Sequence, residues 1–526
     1  MTFIIYVISV IIVDILRFHN VNGDNFSFIN LPEPHLPYYF KRFPQIAIKC
    51  LESDECPSAY KNFLLNSNVH SDICWGYEYD CSFENAFSHP RCPGDHTGYV
   101  KSKQIQIETF YRQGDFGYIA DQLREMRIMC EPLFPHDSML ECSNYLRFCR
   151  ARNLMIDFTD LIKVTEPFRY KTDVLKPGQI GGYCKFHRER LESQLDHFSA
   201  LQSWAPELRN FQEFNQRPVE ANKCDRIIEK PTFIMKIDAG INMYHHFCDF
   251  FNLYMSMHGN MSHPEAFTTD VNILIWETFT YTSPFAETFK AFTQNPILDL
   301  KSFRGETVCF RNLVLPLLPR MIFGLYYNTP IVNGCEGSGL FQAFSDHVLH
   351  RLRIPLRKID NKLRITFLVR RTKYRQILNG DELLKELRRN DDFEVRNVSY
   401  ESITFSQQLE ITRNTDIFIG MHGAGLTHLL FLPKWATIFE LYHCEDPGCY
   451  SDLARLRGVH YITWEDKSKL IQQDDGHHPE GSHAKFTNFS FDKNEFVRLV
   501  NVAADNVRNH VDFKAFIGTR DSHDEL

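Results

Sequence analysis

A glycine-rich stretch, GMHGAGLT at positions 420–427, lies between a short apolar run and a longer one. Glycines allow a ligand to approach the backbone closely, and the free N–H groups at the start of a helix favour an anion. The alternative is a tight strand-to-helix turn in which glycine only relieves steric crowding. For an anion site, the candidate residues are His422, Gly423, Ala424, Gly425, Leu426 and Thr427.

A basic loop is the second candidate for anion binding. Positions 370–375 read RRTKYR, which places four cations in six residues directly after the apolar run LRITFLV at 363–369. The planar guanidinium group of arginine suits bidentate contacts with phosphate. A solvated basic loop is the alternative, but the position at the end of a strand favours binding.

Glu440 is a third candidate, at the end of the apolar run ATIFELY (436–442). A carboxylate at the carboxyl end of a parallel strand can accept both ribose hydroxyls of a nucleotide. A surface glutamate without a ligand fits this position equally well.

His245 and Asp249 are four residues apart in a helix-like run, so they share one face of that helix. A histidine held by a carboxylate can act as a general base or donate to a phosphate. A local ion pair on a core-facing helix is the alternative. The pair is our candidate for the catalytic residues.

Metal chemistry is disfavoured by the absence of any D-x-D triplet from the sequence. Folds that hold a nucleotide diphosphate through Mn²⁺ usually supply such a carboxylate pair. Arginines and a helix start would neutralise the phosphates instead, which predicts that no metal or other cofactor is required.

These residues must be positioned by alternating strands and helices, which indicate βαβ units and parallel sheets. Two such series predict an α/β protein with two Rossmann-like domains facing a cleft. The expected divisions are a signal peptide (1–23), a Cys-rich region (24–185), a first Rossmann-like domain (186–345), a second one (346–485), a closing helix (486–515) and a tail (516–526).

Net charge and the termini limit the partners and the compartment. The net charge of −8 provides no global basic field for nucleic acid. An apolar run at 3–13 suits the core of a signal peptide but is too short to span a bilayer, and no later run reaches that length. The sequence ends in a retention signal that an endoplasmic reticulum retrieval receptor reads, formed by His523, Asp524, Glu525 and Leu526. We therefore expect a protein of the endoplasmic reticulum lumen without a membrane span.

Nine of the 15 cysteines lie between Cys50 and Cys184, at spacings that match no zinc template. In an oxidising compartment they predict disulfides that staple a loop-rich region. Four sequons are candidates for N-glycosylation, at Asn25, Asn260, Asn397 and Asn488.

Several long stretches resemble glycosyltransferase family 61. They are NMYHHFCD (242–249), RRTKYRQILN (370–379), GMHGAGLTHLLFLP (420–433) and ATIFELY (436–442), and the resemblance covers roughly residues 230–480. It implies a two-lobed fold of GT-B type. It also implies that N-acetylglucosamine passes from UDP-GlcNAc, with inversion, to Ser or Thr hydroxyls of folded EGF-like repeats on secreted or membrane proteins. The family pattern R-x-x-x-R-x-I-L-N assigns the diphosphate to Arg371 and Arg375, and N-x-x-H-x-x-x-D selects His245 over His246. Some relatives carry an acidic triplet where this chain has Gln294, Asn295 and Pro296.

Two other functions are compatible with the same residues. One is a family 61 transferase that acts on a glycan acceptor, such as an O-mannosyl glycan. The other is a lumenal protein that binds sugar nucleotides or glycans without catalysis.

Overall fold

The structure is a computed structural model that describes residues 26–66, 72–98, 100–163, 167–195, 199–259, 266–320, 334–358, 362–441, 448–473, 477–478, 481–482 and 486–518. The signal peptide and retention signal predicted above lie outside these residues. No helix among those described is long and apolar enough to cross a membrane.

The amino-terminal part consists of short helices: α1 (Leu36–Arg42), α2 (Pro44–Glu52), α3 (Ser58–Asn66), α4 (Lys103–Gly114) and α5 (Phe116–Arg124). Asp115 caps α5 by accepting a hydrogen bond from the N–H of Phe116. The same buried carboxylate accepts the N–H groups of Gly339 and Leu340, more than 200 residues away. One side chain therefore ties the amino-terminal helices to the centre of the molecule.

The first sheet has eleven strands of mixed direction. They are β1 (Arg127–Glu131), β2 (Met139–Cys142), β3 (Cys149–Asp157), β4 (Ile180–Gly182), β5 (Lys185–Phe186), β6 (Gln212–Glu213), β7 (Arg226–Ile228), β8 (Thr232–Met235), β9 (Asn272–Ile275), β10 (Leu298–Asp299) and β11 (Thr307–Leu315). The main path runs β10-β9-β8-β11-β3-β2-β1-β5. Strands β8 to β11 form its parallel part, and β3 pairs with β11 in antiparallel register.

The sheet continues across the division that the sequence predicts at residue 185. Strands β1 to β5 come from the predicted Cys-rich region, yet they pair with strands of the predicted first domain. A cut at 185 would therefore divide one sheet. The run RERLESQLDHFSALQSW (188–204) has the apolar spacing of a helix. The described residues from 188 to 208 instead form two short helices, α6 (Arg188–Glu192) and α7 (Ala205–Leu208). Leu191 and Leu208 are buried here, so tertiary packing overrides the helical periodicity.

Helix α8 (Met243–Gly259) follows β8 and is buried along almost its whole length. Helix α9 (Gly339–Arg351) then leads towards the second sheet. The aromatic rings of Phe251 and Phe341 stack at 4.1 Å between these two helices. The site-bearing start of α8 is therefore held by a rigid aromatic core.

The second sheet has five parallel strands in the order β13-β12-β14-β15-β16. They are β12 (Leu363–Leu368), β13 (Phe393–Val398), β14 (Ile417–Gly420), β15 (Thr437–Glu440) and β16 (His460–Thr463), with helices α10 (Gly380–Leu387), α11 (Phe405–Arg413) and α12 (Cys449–Arg457). A 3-10 helix, Ala424–Phe431, follows β14. Strands β12 and β15 lie within the apolar runs LRITFLV (363–369) and ATIFELY (436–442).

The remaining elements complete this second part: strands β17 (Leu470–Gln472), β18 (His477–His478), β19 (Gly481–Ser482) and β20 (Phe489–Phe491), and helices α13 (Lys493–Asn509) and α14 (Val511–Gly518). Helix α13 is the predicted closing helix. Its Phe496 packs against Phe367 of β12 and Phe439 of β15, at 6.2 and 5.9 Å between ring centroids.

Six disulfides join described cysteines: Cys50–Cys56, Cys74–Cys81, Cys92–Cys335, Cys130–Cys184, Cys142–Cys149 and Cys224–Cys309. Four of them lie within the stretch where disulfides are predicted. Cys92 instead pairs with Cys335, just before α9, so the amino-terminal helices are also fixed covalently to the segment between the two sheets.

Candidate active site

A cavity of about 820 Å³ lies between the two sheets. It opens where parallel strands of both sheets end, which is where α/β folds bind ligands. The loop after β8 and the start of α8 contribute one wall, which includes Ile241 and His245. The opposite wall contains Arg370, Thr372, Arg375, Tyr400, Glu401, His422, Gly423, Ala424, Gly425, His428 and Tyr450.

His245 stands in the first turn of α8, with its ring about one quarter exposed. Its Nδ1 lies 2.9 Å from Oδ2 of Asp238, a buried residue in the loop between β8 and α8. Arg320 pairs with the other oxygen of Asp238 at 2.7 Å. Burial raises the pKa of Asp238, but the hydrogen bond from His245 and the pair with Arg320 outweigh it, so the pKa lies below its ordinary value. Asp238 is therefore ionised, which fixes the Nδ1–H tautomer of neutral His245 and leaves Nε2 as the ring's acceptor.

Asp249 does not hold His245, so the pairing predicted from their spacing is wrong. Its carboxylate contacts Nδ1 of His246 at 2.9 Å and accepts the N–H of Asp238. His246 is itself buried, with Nε2 2.6 Å from the hydroxyl of Tyr281. The reason is geometric: residues on one helix face are neighbours, but the loop after β8 brings a closer carboxylate. Asp249 supports the backbone of the residue that orients His245.

On the opposite wall, the side chains of Arg370 and Arg375 both lie close to Gly423. A Cβ atom added at Gly423 would lie 2.5 Å from Nη1 of Arg370 and 3.5 Å from Nη1 of Arg375. Arg375 also donates to the carbonyl of His422 at 3.2 Å. Burial, and then the like charge of Arg375, lower the pKa of Arg370 to about 10, although Glu401 and Tyr450 act in the opposite direction. An anion bound here would relieve that repulsion.

Arg371, by contrast, is exposed and does not line the cavity. The basic loop turns at Arg375, whose φ of 59° lies in the left-handed region. The loop is held from behind by the segment before and within β20: Arg375 N–H donates to Thr487 O, and Gln376 N–H donates to Asn488 Oδ1. Of the adjacent arginines Arg370 and Arg371, Arg370 is the one that lines the cavity.

Glu440 lies beneath His422. Its Oε1 is 2.5 Å from Nδ1 of His422, and its Oε2 accepts the hydroxyl of Tyr461 at 2.6 Å. Both oxygens are occupied and the side chain is buried, so Glu440 does not offer them to a ribose. Its role in this structure is to orient His422, whose ring edge also meets Tyr450 at 5.3 Å.

The other predicted site residues are distributed differently. Ala424 and Gly425 line the cavity, whereas Leu426 and Thr427 are fully buried beneath it. Asn397 is exposed on β13, and Asn488 donates to Lys373 O besides accepting from the basic loop. Asn25, Asn260, His523, Asp524, Glu525 and Leu526 lie outside the described residues.

The acidic triplet of some relatives would lie far from the cleft. Asn295 donates to the carbonyl of Val271, and Gln294 N–H donates to Thr269 O, so both sit at the amino end of β9. His245 is at the opposite edge of that sheet. Across the described ranges, the one group of three potential metal ligands within 4.8 Å of each other is Cys74, Glu78 and Cys81, and its cysteines form a disulfide.

Sequence reasoning missed Asp238 and the cavity role of Arg370. For Asp238, the signal was present: an acidic residue directly follows the strand-like run PTFIMKI. For Arg370, the signal was its position nearest to the end of LRITFLV. The part of the wall formed by Tyr400 and Glu401 had no motif, because it comes from a short 3-10 helix, Tyr400–Ser402, after β13.

The comparisons with known proteins agree with this geometry. Residues 243–439 match the family model described as Glycosyltransferase 61. The chain is 57% identical to the EGF domain-specific O-linked N-acetylglucosamine transferase of Drosophila melanogaster, over 93% of each chain. It is 49% identical to the mouse (Mus musculus) protein of that name, over 95% of this chain and 93% of the relative, and 49% identical to the Gallus gallus protein, over 92% and 90%.

Proposed function

The chain belongs to glycosyltransferase family 61 and is a glycosyltransferase, and we propose that it transfers N-acetylglucosamine from UDP-GlcNAc to Ser or Thr hydroxyls of folded EGF-like repeats, with inversion. The names of the relatives support the sugar and the acceptor class. We further propose that the two sheets are the two domains of a GT-B-type fold, with the acceptor on the first and the donor on the second.

One observation carries the donor assignment. The guanidinium groups of Arg370 and Arg375 converge over the backbone of Gly423, in a cavity with the volume of one sugar nucleotide. Two guanidinium groups that converge in this way can hold a diphosphate together through charge-assisted hydrogen bonds. A diphosphate at this position would gain negative charge as the sugar leaves, so the contacts would strengthen in the transition state.

The acceptor step is assigned to the first wall. In a single displacement, the oxygen of the acceptor hydroxyl bonds to C1 of the sugar while the bond from C1 to the phosphate oxygen breaks. UDP leaves with that electron pair, and the hydroxyl proton passes to Nε2 of His245. Asp238 stabilises the resulting imidazolium through Nδ1–H. Attack from the face opposite the phosphate inverts C1.

We propose that no metal is required, because arginines supply the positive charge at the leaving group. Activity should then persist in excess EDTA. Complete loss that Mn²⁺ restores would contradict this part of the proposal.

The proposed compartment is the lumen of the endoplasmic reticulum. Six disulfides support an oxidising environment. Deleting residues 523–526 should cause secretion of active enzyme, detected by transferase assays on medium and cell lysate. Unchanged retention would argue against the proposed address.

The function itself is tested by incubating the purified protein with labelled UDP-sugars and three acceptors: a folded EGF-like repeat, its reduced form and an O-mannosyl glycan. We expect transfer of N-acetylglucosamine to the folded repeat. Transfer to the glycan alone would identify the other family 61 activity. UDP-GlcNAc binding without transfer or hydrolysis would identify a non-catalytic binding protein.

A further inference from the structure

The cavity is too small for the proposed acceptor. Its volume of about 820 Å³ fits a sugar nucleotide, whereas a folded domain of even 40 residues is several times larger. Such a domain must therefore rest on the rim and insert only its reacting side chain. Two loops of the first sheet line the cavity beside His245: 236–242, through Ile241 and Asn242, and 277–285, through Pro284 and Phe285. A third loop, 167–171, is hydrogen-bonded to both of them.

These loops are joined by hydrogen bonds into one surface. The N–H groups of Phe168 and Arg169 donate to the carboxylate of Glu277, at 3.0 and 3.2 Å. The guanidinium of Arg169 donates to the carbonyl of Ile237, and Ser283 Oγ donates to the carbonyl of Gly240 at 2.6 Å. Glu277 is buried, so the junction is fixed from within.

Each loop presents one large apolar side chain to solvent. Tyr170 is 55% exposed, Ile241 is 80% exposed and Phe279 is 47% exposed. Ile241 also lines the cavity, four residues before His245, so this apolar rim continues into the candidate active site. The Arg169 guanidinium lies 5.2 Å from the centre of the Tyr170 ring and orders it. Isolated exposed apolar residues are ordinary, but three on joined loops, one of which lines the cavity, indicate a binding surface.

We propose that the apolar rim, formed by Tyr170, Ile241 and Phe279, is the docking surface for the folded acceptor domain. It rests on the proposed function and adds how the acceptor is recognised. The partner it fits is a small folded domain with an apolar face next to the reactive hydroxyl. Ordered aromatic and aliphatic anchors of this kind carry most of the energy in protein interfaces.

The experiment uses the full-length enzyme with Phe279→Asp and Tyr170→Asp, each compared with Phe134→Asp. Phe134 is 61% exposed in the β1–β2 connection, and β1 lies four strands from β8 in the sheet. The readouts are KM for a folded EGF-like repeat, UDP affinity, and hydrolysis of UDP-GlcNAc without acceptor. We expect the two rim variants to raise KM about tenfold or more, with UDP affinity and hydrolysis unchanged. Phe134→Asp should match the wild type in all three.

The possible failures are distinguishable. If the wild type transfers to the repeat and the rim variants keep its KM, the docking surface is wrong while the proposed function stands. If the rim variants lose UDP affinity or hydrolysis as well, the residues serve the donor site or the fold, which also overturns the docking surface. If the wild type transfers to no EGF-like repeat, the proposed function fails, and the docking surface with it.

Discussion

Each of the two walls of the cleft orients a histidine through a contact with a buried carboxylate. His245 and His422 both follow a parallel strand, and the Nδ1 of each contacts a buried carboxylate, Asp238 in one case and Glu440 in the other. The supports differ. Asp238 comes from the loop that leads into the histidine's own helix and is joined by Arg320, whereas Glu440 ends the neighbouring strand and is joined by Tyr461.

The two histidines differ in the charged groups that lie beside them. His422 lies beside Gly423, over which two arginines converge, and its own carbonyl accepts from Arg375. The described hydrogen-bond and ion-pair partners of His245 include no arginine of the basic loop. Its carboxylate partner, Asp238, is paired with Arg320, which follows β11 of the first sheet. In the proposed function, the same histidine–carboxylate unit therefore serves anion binding on one wall and proton transfer on the other, according to the charge beside it.

The largest expected effect comes from His245. His245→Ala should lower single-turnover rates by roughly 10²–10⁴-fold, because the acceptor proton loses its base. UDP affinity, measured by calorimetry, should remain within about twofold, since the diphosphate is assigned to the other wall. Asp238→Asn should lower the rate less and change its pH profile, as expected of a positioning residue. Loss of UDP binding in His245→Ala would reverse the assignment of the two walls.

Gly423→Val should weaken UDP binding, the property that His245→Ala is expected to leave unchanged. A branched side chain would collide with Arg370, from which even a Cβ atom would be 2.5 Å away. We expect UDP affinity to fall about a hundredfold, since overpacking costs up to about 3 kcal/mol. Thermal unfolding of the variant provides the control for misfolding. Normal UDP affinity in a folded Gly423→Val protein would remove the diphosphate from this wall.

The adjacent arginines offer a sharper comparison. Arg370→Ala should weaken UDP binding roughly tenfold to a hundredfold, the value of a lost charge-assisted contact of about 1.5–3 kcal/mol. Arg371→Ala should weaken it by less than about threefold, because an exposed cation at greater distance is screened. Calorimetry on both variants decides between the structure and the family pattern. The reverse order of effects would restore Arg371 as the diphosphate ligand.

A third histidine, His35, has a strongly lowered pKa because burial outweighs the effect of the carboxylate of Asp346. His35 is buried against Trp75 and Phe87, and burial lowers its pKa from 6.5 to about 4, although Asp346 acts in the opposite direction. The unfolded chain therefore binds the proton first, so stability is lost as pH falls from 6.5 towards 4. His35→Phe should reduce the loss in unfolding free energy between pH 7 and pH 5 by about 2 kcal/mol.

The measurement for His35 is the shift in Tm between pH 7 and pH 5, compared between the wild type and His35→Phe. The difference is the useful quantity because Asp115, whose pKa burial raises to about 6, titrates in the opposite sense in both proteins. An identical pH dependence in the two proteins would show that His35 does not contribute.

The second sheet was predictable because each of its elements is short, periodic and bounded by turn residues. Its five parallel strands each follow one apolar run, and Gly420 ends β14 where the sequence indicates. The first sheet was not predictable to the same degree. Strand β3 pairs with β11 across some 150 residues, and nothing in a local window specifies such a partner.

The site divides in the same way. His245, Arg375, His422 and Gly423 all line the cavity. The sequence singled them out because each follows a strand, in a motif of fixed spacing. The partners of the two histidines were not: helix periodicity suggested Asp249, and strand position suggested a ribose contact for Glu440. Which carboxylate meets which imidazole depends on how loops fold back, and that is a tertiary property.

The disulfide between Cys92 and Cys335 also bears on how the chain is made. Its half-cystines are 243 residues apart, so at about 5–20 residues per second the ribosome delivers the second roughly 10–50 s after the first. During that interval Cys92 has near neighbours, Cys74 and Cys81, within reach. Correct pairing therefore requires either that those two close their own short loop first or that a wrong bond is later exchanged. An oxidase that acts too early would trap the nascent chain, and a disulfide isomerase would set the yield of mature enzyme.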